Sequence, residues 1–136
     1  MKDKLFDKLP ETQLFEELDY ESLDEVMDVI KAADPDENNC IIFDDMTAAL
    51  KNGETLRMLK ELVFNRRHLR CSIFFLVQTW FSVPKDLRKL FSNIFVFRVN
   101  KNELKTIFDE TIEDKDKVES ASLISKMVYD KPYQYL

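Results

Sequence analysis

Cys40-Ile41-Ile42-Phe43-Asp44-Asp45 is the stretch that decides the fold, because four residues of buried-strand character end abruptly in two adjacent carboxylates. Two further apolar runs follow, Ile73–Val77 and Ile94–Phe97. Their apolar character is continuous and does not alternate with polar residues, which is typical of strands covered on both faces. The three runs therefore predict central strands of a parallel sheet.

Helical patterns separate these runs. Apolar residues at helical spacing follow Ser22-Leu23-Asp24-Glu25, a capping-box pattern, and this helix should end near Ala33. Further helices are predicted from about Glu54 to His68, from Pro84 as a first helical residue, from Asn100 with Glu103 as a cap, and from about Lys117 to Tyr129. Strands that alternate with helices predict an α/β fold with right-handed crossovers.

Polar side chains stand where two of the predicted strands end. In parallel sheets ligands bind at the carboxyl ends of the strands. Asp44 and Asp45 end the first strand, and Gln78 ends the second. Each residue alone could be a capping or turn residue, but three polar groups from independent strands favour a site.

The strand with its acidic pair is typical of the Walker B element of nucleoside triphosphatases. Phosphoryl transfer needs Mg²⁺ beside the β- and γ-phosphates and an aligned water. Asp44 would hold the Mg²⁺ through water, and Asp45 would orient the attacking water. The Gln78 amide can hydrogen-bond that water and a γ-phosphate oxygen.

The partner of this element, a glycine-rich phosphate loop, is missing. Such a loop uses glycines so that backbone N–H groups can approach the phosphates. The sequence has one glycine, Gly53, and it follows the acidic pair. We therefore expect no phosphate-binding residues in this chain, and ATP and Mg²⁺ as cofactors only if a separate segment supplies the loop.

Composition fits one α/β domain or a large piece of one, with 136 residues of which 45% are hydrophobic. The net charge of −6 is uneven: residues 1–39 carry 4 basic and 13 acidic groups, residues 40–109 carry 12 and 7, and residues 110–136 carry 4 and 6. Solvated helix faces or a DNA contact can explain the basic middle, where the candidate DNA path comprises Lys85, Arg88, Lys89, Lys101 and Lys105.

Two features bear on the cellular compartment. Cys40 and Cys71 each open an apolar run without a second ligand at metal spacing, which predicts reduced core residues. No run approaches the ~20 apolar residues of a membrane span. We expect a soluble, intracellular protein.

The order of elements resembles the poxvirus-type genome-packaging ATPases of large DNA viruses, which belong to the FtsK/HerA class of DNA-translocating P-loop ATPases. The resemblance covers most of residues 20–136. Its most specific part is Arg-His-x-x-x-Ser followed by an apolar strand and Gln. It is carried by the acidic pair, Asn65–Ser72, the strand ending in Gln78, Val83–Arg88 and Ile94–Phe97.

This resemblance implies a partial RecA-like P-loop ATPase core, three-layered, with a mainly parallel sheet that lacks its first, Walker A strand. It also implies rings of packaging ATPase subunits that bind ATP between neighbours and drive double-stranded DNA into a viral capsid, in the host cytoplasm (viral factory) or the virion. Arg67 matches the arginine of the family's Gly-Arg-His pattern, and Arg66 replaces the glycine. Arg67 is thus a candidate arginine finger, although Arg66, Arg67 and Arg70 also suit a helix C-terminus.

The departures from the family predict a single partial domain over residues 1–136, with an acidic helical segment 1–39, a core 40–109, and a segment 110–136 that holds a helix and a truncated strand. In the family's sheet, the strand that this chain lacks lies between the strand ending at Gln78 and the strand Ile94–Phe97. A gap left unfilled there should make the chain marginally stable or oligomeric. We expect a truncated homologue or portion of a packaging ATPase, inactive alone. The alternatives are a non-catalytic component of the packaging assembly and an unrelated α/β interaction module.

Overall fold

The computed structural model describes residues 8–112, 123–124 and 126–129. The chain divides into two compact units, Met1–Val77 and Gln78–Leu136. Whether both belong to one domain stays a prediction. The helices and strands are α1 (Tyr20–Ala32), β1 (Asn39–Asp44), α2 (Gly53–Asn65), β2 (Cys71–Leu76), α3 (Lys85–Arg88) and α4 (Lys101–Thr111), with 3₁₀ turns at Glu11–Gln13, Ala49–Lys51 and Trp80–Ser82.

The sheet of the first unit is parallel, as predicted. Within the described residues it has two strands, β1 and β2, paired in register from Asn39 beside Cys71 to Asp44 beside Leu76. The stacked rings of Phe43 and Phe75, 5.1 Å apart between centroids, reinforce this register. The α/β class is therefore confirmed for this part of the chain.

Only one face of the sheet is covered, so the prediction of two covered faces is wrong for the described residues. Phe43 is 8% exposed, whereas its neighbour Ile42 on the other face is 47% exposed. Phe74 and Leu76 on β2 lie on that same open face and are 51% and 49% exposed. A continuous apolar pattern suits a sheet that is covered on both faces, and the described residues cover only one of them. We call Ile42, Phe74 and Leu76 the open face.

Helix α1 begins with a capping box one turn earlier than the sequence pattern indicated. The Asp19 carboxylate accepts from the Ser22 N–H at 2.8 Å, and the Ser22 hydroxyl accepts from the Asp19 N–H at 3.0 Å. These hydrogen bonds, the backbone one first, lower the pKa of Asp19. Ser22 is thus the third residue of the box and not its cap, and the helix ends at Ala32 as expected.

Helix α2 supplies much of the first unit's core. Asn52 caps it by accepting from the N–H groups of Glu54 and Thr55. Leu59 and Leu62 are fully buried. The helix stops at Asn65, short of the predicted His68, because the chain turns through residues 66–70 and Arg70 adopts a positive φ of 47° before β2 begins.

The predicted third strand, Ile94–Phe97, does not form: within the described residues this segment holds only an isolated bridge residue at Phe97. The buried Val96 accepts a hydrogen bond at its carbonyl from the Tyr129 hydroxyl at 2.6 Å. Its side chain joins the second unit's core with Trp80, Leu104, Ile107 and Phe108.

The remaining helices follow the sequence closely. Pro84 was predicted to be the first residue of a helix, but it is the N-cap residue, and α3 begins one residue later, at Lys85. The Asn100 side chain caps α4 by accepting from the Glu103 N–H at 2.9 Å, as predicted. Residues 123–124 and 126–128 are helical, and the rest of the predicted last helix and of the truncated strand lies outside the described residues. In the part of the chain that the structure describes, no helix could span a membrane.

The cysteines differ in accessibility, and both are free thiols. Cys71 is buried as predicted, but Cys40 is exposed, so its assignment to the core is wrong. Cys40 is the second residue of β1 and lies on the same side of the sheet as Ile42, which no layer covers within the described residues. Burial, and secondarily the neighbouring Cys40, raises the pKa of Cys71 to about 11.

We expect only Cys40 to react rapidly with a thiol reagent in the native protein. At pH 8 about 0.1% of Cys71 is thiolate, and the thiolate is the nucleophile. A colorimetric thiol assay should find one fast thiol per chain, which Cys40→Ser removes, and two after denaturation. Two fast thiols in the native protein would contradict this assignment.

The raised pKa of Cys71 also makes stability depend on pH. Because the folded pKa lies above the ordinary 9.0, the contribution of Cys71 to the free energy of unfolding is complete below pH 9 and is lost as pH rises through about 11.

Candidate functional site

The acidic pair lies at the carboxyl end of β1. Asp44 is the last residue of the strand and pairs with Leu76, the last residue of β2. Asp45 follows with its N–H donating to the Leu76 carbonyl at 3.2 Å, which extends the strand pairing by one step. Both aspartates are exposed. The sheet thus places both carboxylates at the edge where parallel sheets bind ligands.

The backbone turns sharply at Asp45, which has a positive φ of 47°. Asp and Asn tolerate this left-handed conformation better than other non-glycine residues do. The Thr47 hydroxyl lies 3.5 Å from Asp45 Oδ1 and donates to it. Asp44 thus ends the strand, and Asp45 begins the turn that follows it.

The donor set fits a hydrated magnesium ion. Mg²⁺ is usually held by one or two carboxylates, with waters and phosphate oxygens completing its octahedron. Among the described residues no group of three or more His, Cys, Asp or Glu side chains could hold a metal. Asp44 and Asp45 offer two exposed carboxylates of the kind that Mg²⁺ takes together with water, and Mg²⁺ binding here stays a prediction.

Gln78 follows two residues after Leu76, the register partner of Asp44, and its side chain is exposed. It is the first residue of the second unit. The chain therefore leaves β2 at the same end as the acidic pair and reaches Gln78 immediately. A direct contact between Gln78 and the acidic pair stays a prediction.

Arg67 lies at the other end of β2. It is exposed in the turn between α2 and the strand, and β2 has six residues, each advancing the chain by about 3.3 Å. Within the first unit, Arg67 is thus separated from the acidic pair by the length of a strand. Its neighbours stabilise local structure: Arg66 donates to the Val63 carbonyl at 2.9 Å, and Arg70 pairs with Asp36 at 3.3 Å.

Gly53 is not a phosphate-loop glycine. It is the first residue of α2, it does not have a positive φ, and a Cβ atom added to it would meet nothing within 4 Å. Phosphate loops need glycine because the backbone approaches the ligand closely or adopts special dihedral angles. Neither requirement applies to Gly53, so its position offers no cradle for a triphosphate.

The comparison with protein families matches residues 9–132 to the family described as Poxvirus A32 protein. The chain belongs to the poxvirus A32 family. It is the family of the poxvirus packaging ATPase, and it is linked to viral DNA packaging. The comparisons with curated proteins and with solved structures found no match. The alternative of an unrelated α/β interaction module no longer applies.

The chain uses one of its candidate DNA-path residues internally. Arg88 has a side chain only 11% exposed; its Nη1 lies 2.9 Å from Glu110 Oε2, and its guanidinium lies over the Trp80 ring at 5.1 Å. A buried, paired arginine is not available to DNA phosphates. The other residues of that path are exposed: Lys85, Lys89, Lys101 and Lys105.

Sequence reasoning missed the role of two residues in this A32 chain. Thr47, the partner of Asp45, gave no signal beyond its short distance along the chain. Glu103 was predicted only as part of a helix cap, yet it is 5% exposed and its carboxylate accepts from the Thr79 hydroxyl at 2.8 Å and from the Trp80 N–H. The available signal was the position of this acid beside the apolar residues Leu104 and Ile107 of the same predicted helix.

Proposed function

We propose that this chain supplies the Walker B part of a DNA-packaging ATPase, which couples ATP hydrolysis to the translocation of double-stranded DNA into capsids. The observation that carries the proposal is the exposed Asp44–Asp45 pair at the carboxyl end of a parallel strand. Membership of the poxvirus A32 family supports it. The parallel α/β sheet suits a RecA-like three-layer core of the FtsK/HerA class.

In this proposal each polar side chain has a separate task. Asp44 would hold Mg²⁺ through water, and Asp45, which accepts from Thr47, would accept a hydrogen bond from the attacking water. Gln78 would donate to a γ-phosphate oxygen and position the same water. When bound, Mg²⁺ would supply positive charge that neutralises the phosphate oxygens.

The arrangement of Arg67 favours action between subunits. An arginine finger stabilises negative charge on the transferring phosphoryl group. Since β2 separates Arg67 from the acidic pair of its own unit, Arg67 would serve the nucleotide of a neighbouring subunit in a ring. The exposed side chain is compatible with that reach.

The open face supports a proposal for how the missing phosphate loop is supplied. Ile42, Phe74 and Leu76 are each about half exposed, whereas parallel sheets are usually covered on both faces. We infer that a segment carrying the phosphate loop, on this or another polypeptide, covers this face and supplies the triphosphate cradle. We call the chain together with such a family segment the completed protein.

A second candidate function is a non-catalytic component of the packaging assembly. The sole glycine, in a place that cannot cradle phosphate, favours it. In that case the chain keeps the surfaces for other packaging subunits and for the capsid, but does not bind ATP. It should bind an intact family member without contributing turnover.

The two functions are separated by measuring phosphate release with ATP and Mg²⁺. We expect no turnover above background from the chain alone, and turnover from the completed protein. The matched control is the phosphate-loop segment without this chain. Turnover by the chain alone would contradict the missing cradle, and no turnover by the completed protein would favour the non-catalytic function.

A further inference from the structure

Glu103 is a buried acid in the second unit and is 5% exposed. A carboxylate removed from water is costly unless hydrogen-bond donors surround it. Its Oε1 accepts from the Thr79 hydroxyl at 2.8 Å and from the Trp80 backbone N–H, and Asn100 Nδ2 lies 3.3 Å from its Oε2. Three donors thus converge on one carboxylate, and two of them belong to consecutive residues of the loop after Gln78.

A second carboxylate of the same helix holds the same loop. Glu110 lies two turns beyond Glu103, on the same face of α4, and its Oε2 accepts from the Trp80 indole N–H at 2.9 Å. Arg88 pairs with that oxygen at 2.9 Å and covers the indole ring. Trp80 is therefore fixed to α4 through its backbone and through its side chain.

The loop is also tied to itself. The Thr79 carbonyl accepts from the Ser82 hydroxyl at 2.7 Å and from the Ser82 N–H at 3.2 Å. Thr79 is thus restrained through its side chain by Glu103 and through its carbonyl by Ser82. Because Thr79 follows Gln78 directly, these restraints also limit the directions that the backbone of Gln78 can take.

We propose that Glu103 is a positioning residue for Gln78: by binding Thr79 and Trp80 it sets the direction in which the chain presents the Gln78 amide. The inference rests on the proposed function, in which Gln78 contacts water and the γ-phosphate. Catalysis is sensitive to such positioning, since a displacement of about 1 Å can cost ~10²-fold in rate.

The loop restraint is tested first, without nucleotide. Trp80 is the only tryptophan of the chain, so its fluorescence reports this site alone. Glu103→Ala should shift the Trp80 emission to the red and speed hydrogen exchange at the Trp80 amide. Glu103→Gln keeps an oxygen for both donors and should restore slow exchange, while Asn102→Ala, at an exposed position of α4, should change neither. Unchanged exchange in Glu103→Ala would overturn the proposal.

A double-mutant cycle in the completed protein then tests action through Gln78. Glu103→Ala should lower kcat by about tenfold to 10²-fold, with Glu103→Gln close to wild type, at a temperature where all variants are folded by circular dichroism. Added to Gln78→Ala, it should lower kcat no further. Equal losses in both backgrounds would overturn the positioning role and leave the proposed function standing. No turnover in the wild-type completed protein would overturn both.

Discussion

Asp45→Asn should lower the kcat of ATP hydrolysis by the completed protein by at least ~10²-fold, in the range of losses expected when a group acting on the reacting water is removed. The variant removes the carboxylate but keeps its size. Asn also tolerates the positive φ of 47° found at Asp45, and its amide oxygen can still accept from Thr47. The loss would therefore come from chemistry and not from a disrupted turn. Phosphate release under saturating ATP and Mg²⁺ measures it.

The matched control is Asp28→Asn, which makes the same chemical change at an exposed position of α1. It should leave kcat unchanged. Asp44→Asn should differ from both, because a metal-holding carboxylate acts on Mg²⁺ affinity and excess Mg²⁺ should recover part of its turnover. An Asp45→Asn protein with wild-type kcat would assign the role of orienting water to another group.

Leu59→Ala should lower the free energy of unfolding of the first unit by about 2–5 kcal/mol, the usual loss for a buried leucine. Leu59 is 0% exposed, at the centre of the buried stripe of α2. Since a typical domain is stable by only about 5–15 kcal/mol, this change should remove a large share of the unit's stability. Urea unfolding followed by circular dichroism measures it.

The control for this prediction lies on the same helix. Phe64 is 72% exposed, so Phe64→Ala removes a larger side chain but little buried surface, and should change stability by no more than about 0.5 kcal/mol. If the two variants were equally destabilised, the buried and exposed faces of α2 would have been assigned wrongly.

The parts of the fold that the sequence predicted depend on local signals. The apolar run ending in Asp44 and the run before Gln78 became a parallel pair because each has the length and composition of a strand. The cap at Asn100 follows from a hydrogen bond between residues three positions apart. Near Ser22 the sequence indicated a capping box but placed its first residue three positions too late. Such features need no information from distant residues, so pattern and spacing suffice to find them.

The parts that failed depend on neighbours. Ile94–Phe97 has strand composition, yet within the described residues it holds only an isolated bridge residue, because whether an apolar run becomes a strand depends on residues distant in sequence. The open face and the exposed Cys40 fail for a related reason, since an apolar run shows what a strand suits and not what covers it. At the site, the positive φ of Asp45 and the buried Glu103 arise from a turn and from a tertiary contact that leave no periodic mark.

The parallel register of β1 and β2 also has a kinetic consequence. Two parallel strands cannot be joined by a tight turn, so all of α2 and the turn containing Arg70 must be made before Asn39 can meet Cys71. Contacts between residues distant in sequence form slowly, because the intervening loop must first be closed. On the ribosome, β1 therefore waits unpaired until Leu76 has emerged. While β1 is unpaired its apolar edge is exposed, and association with other chains competes with folding.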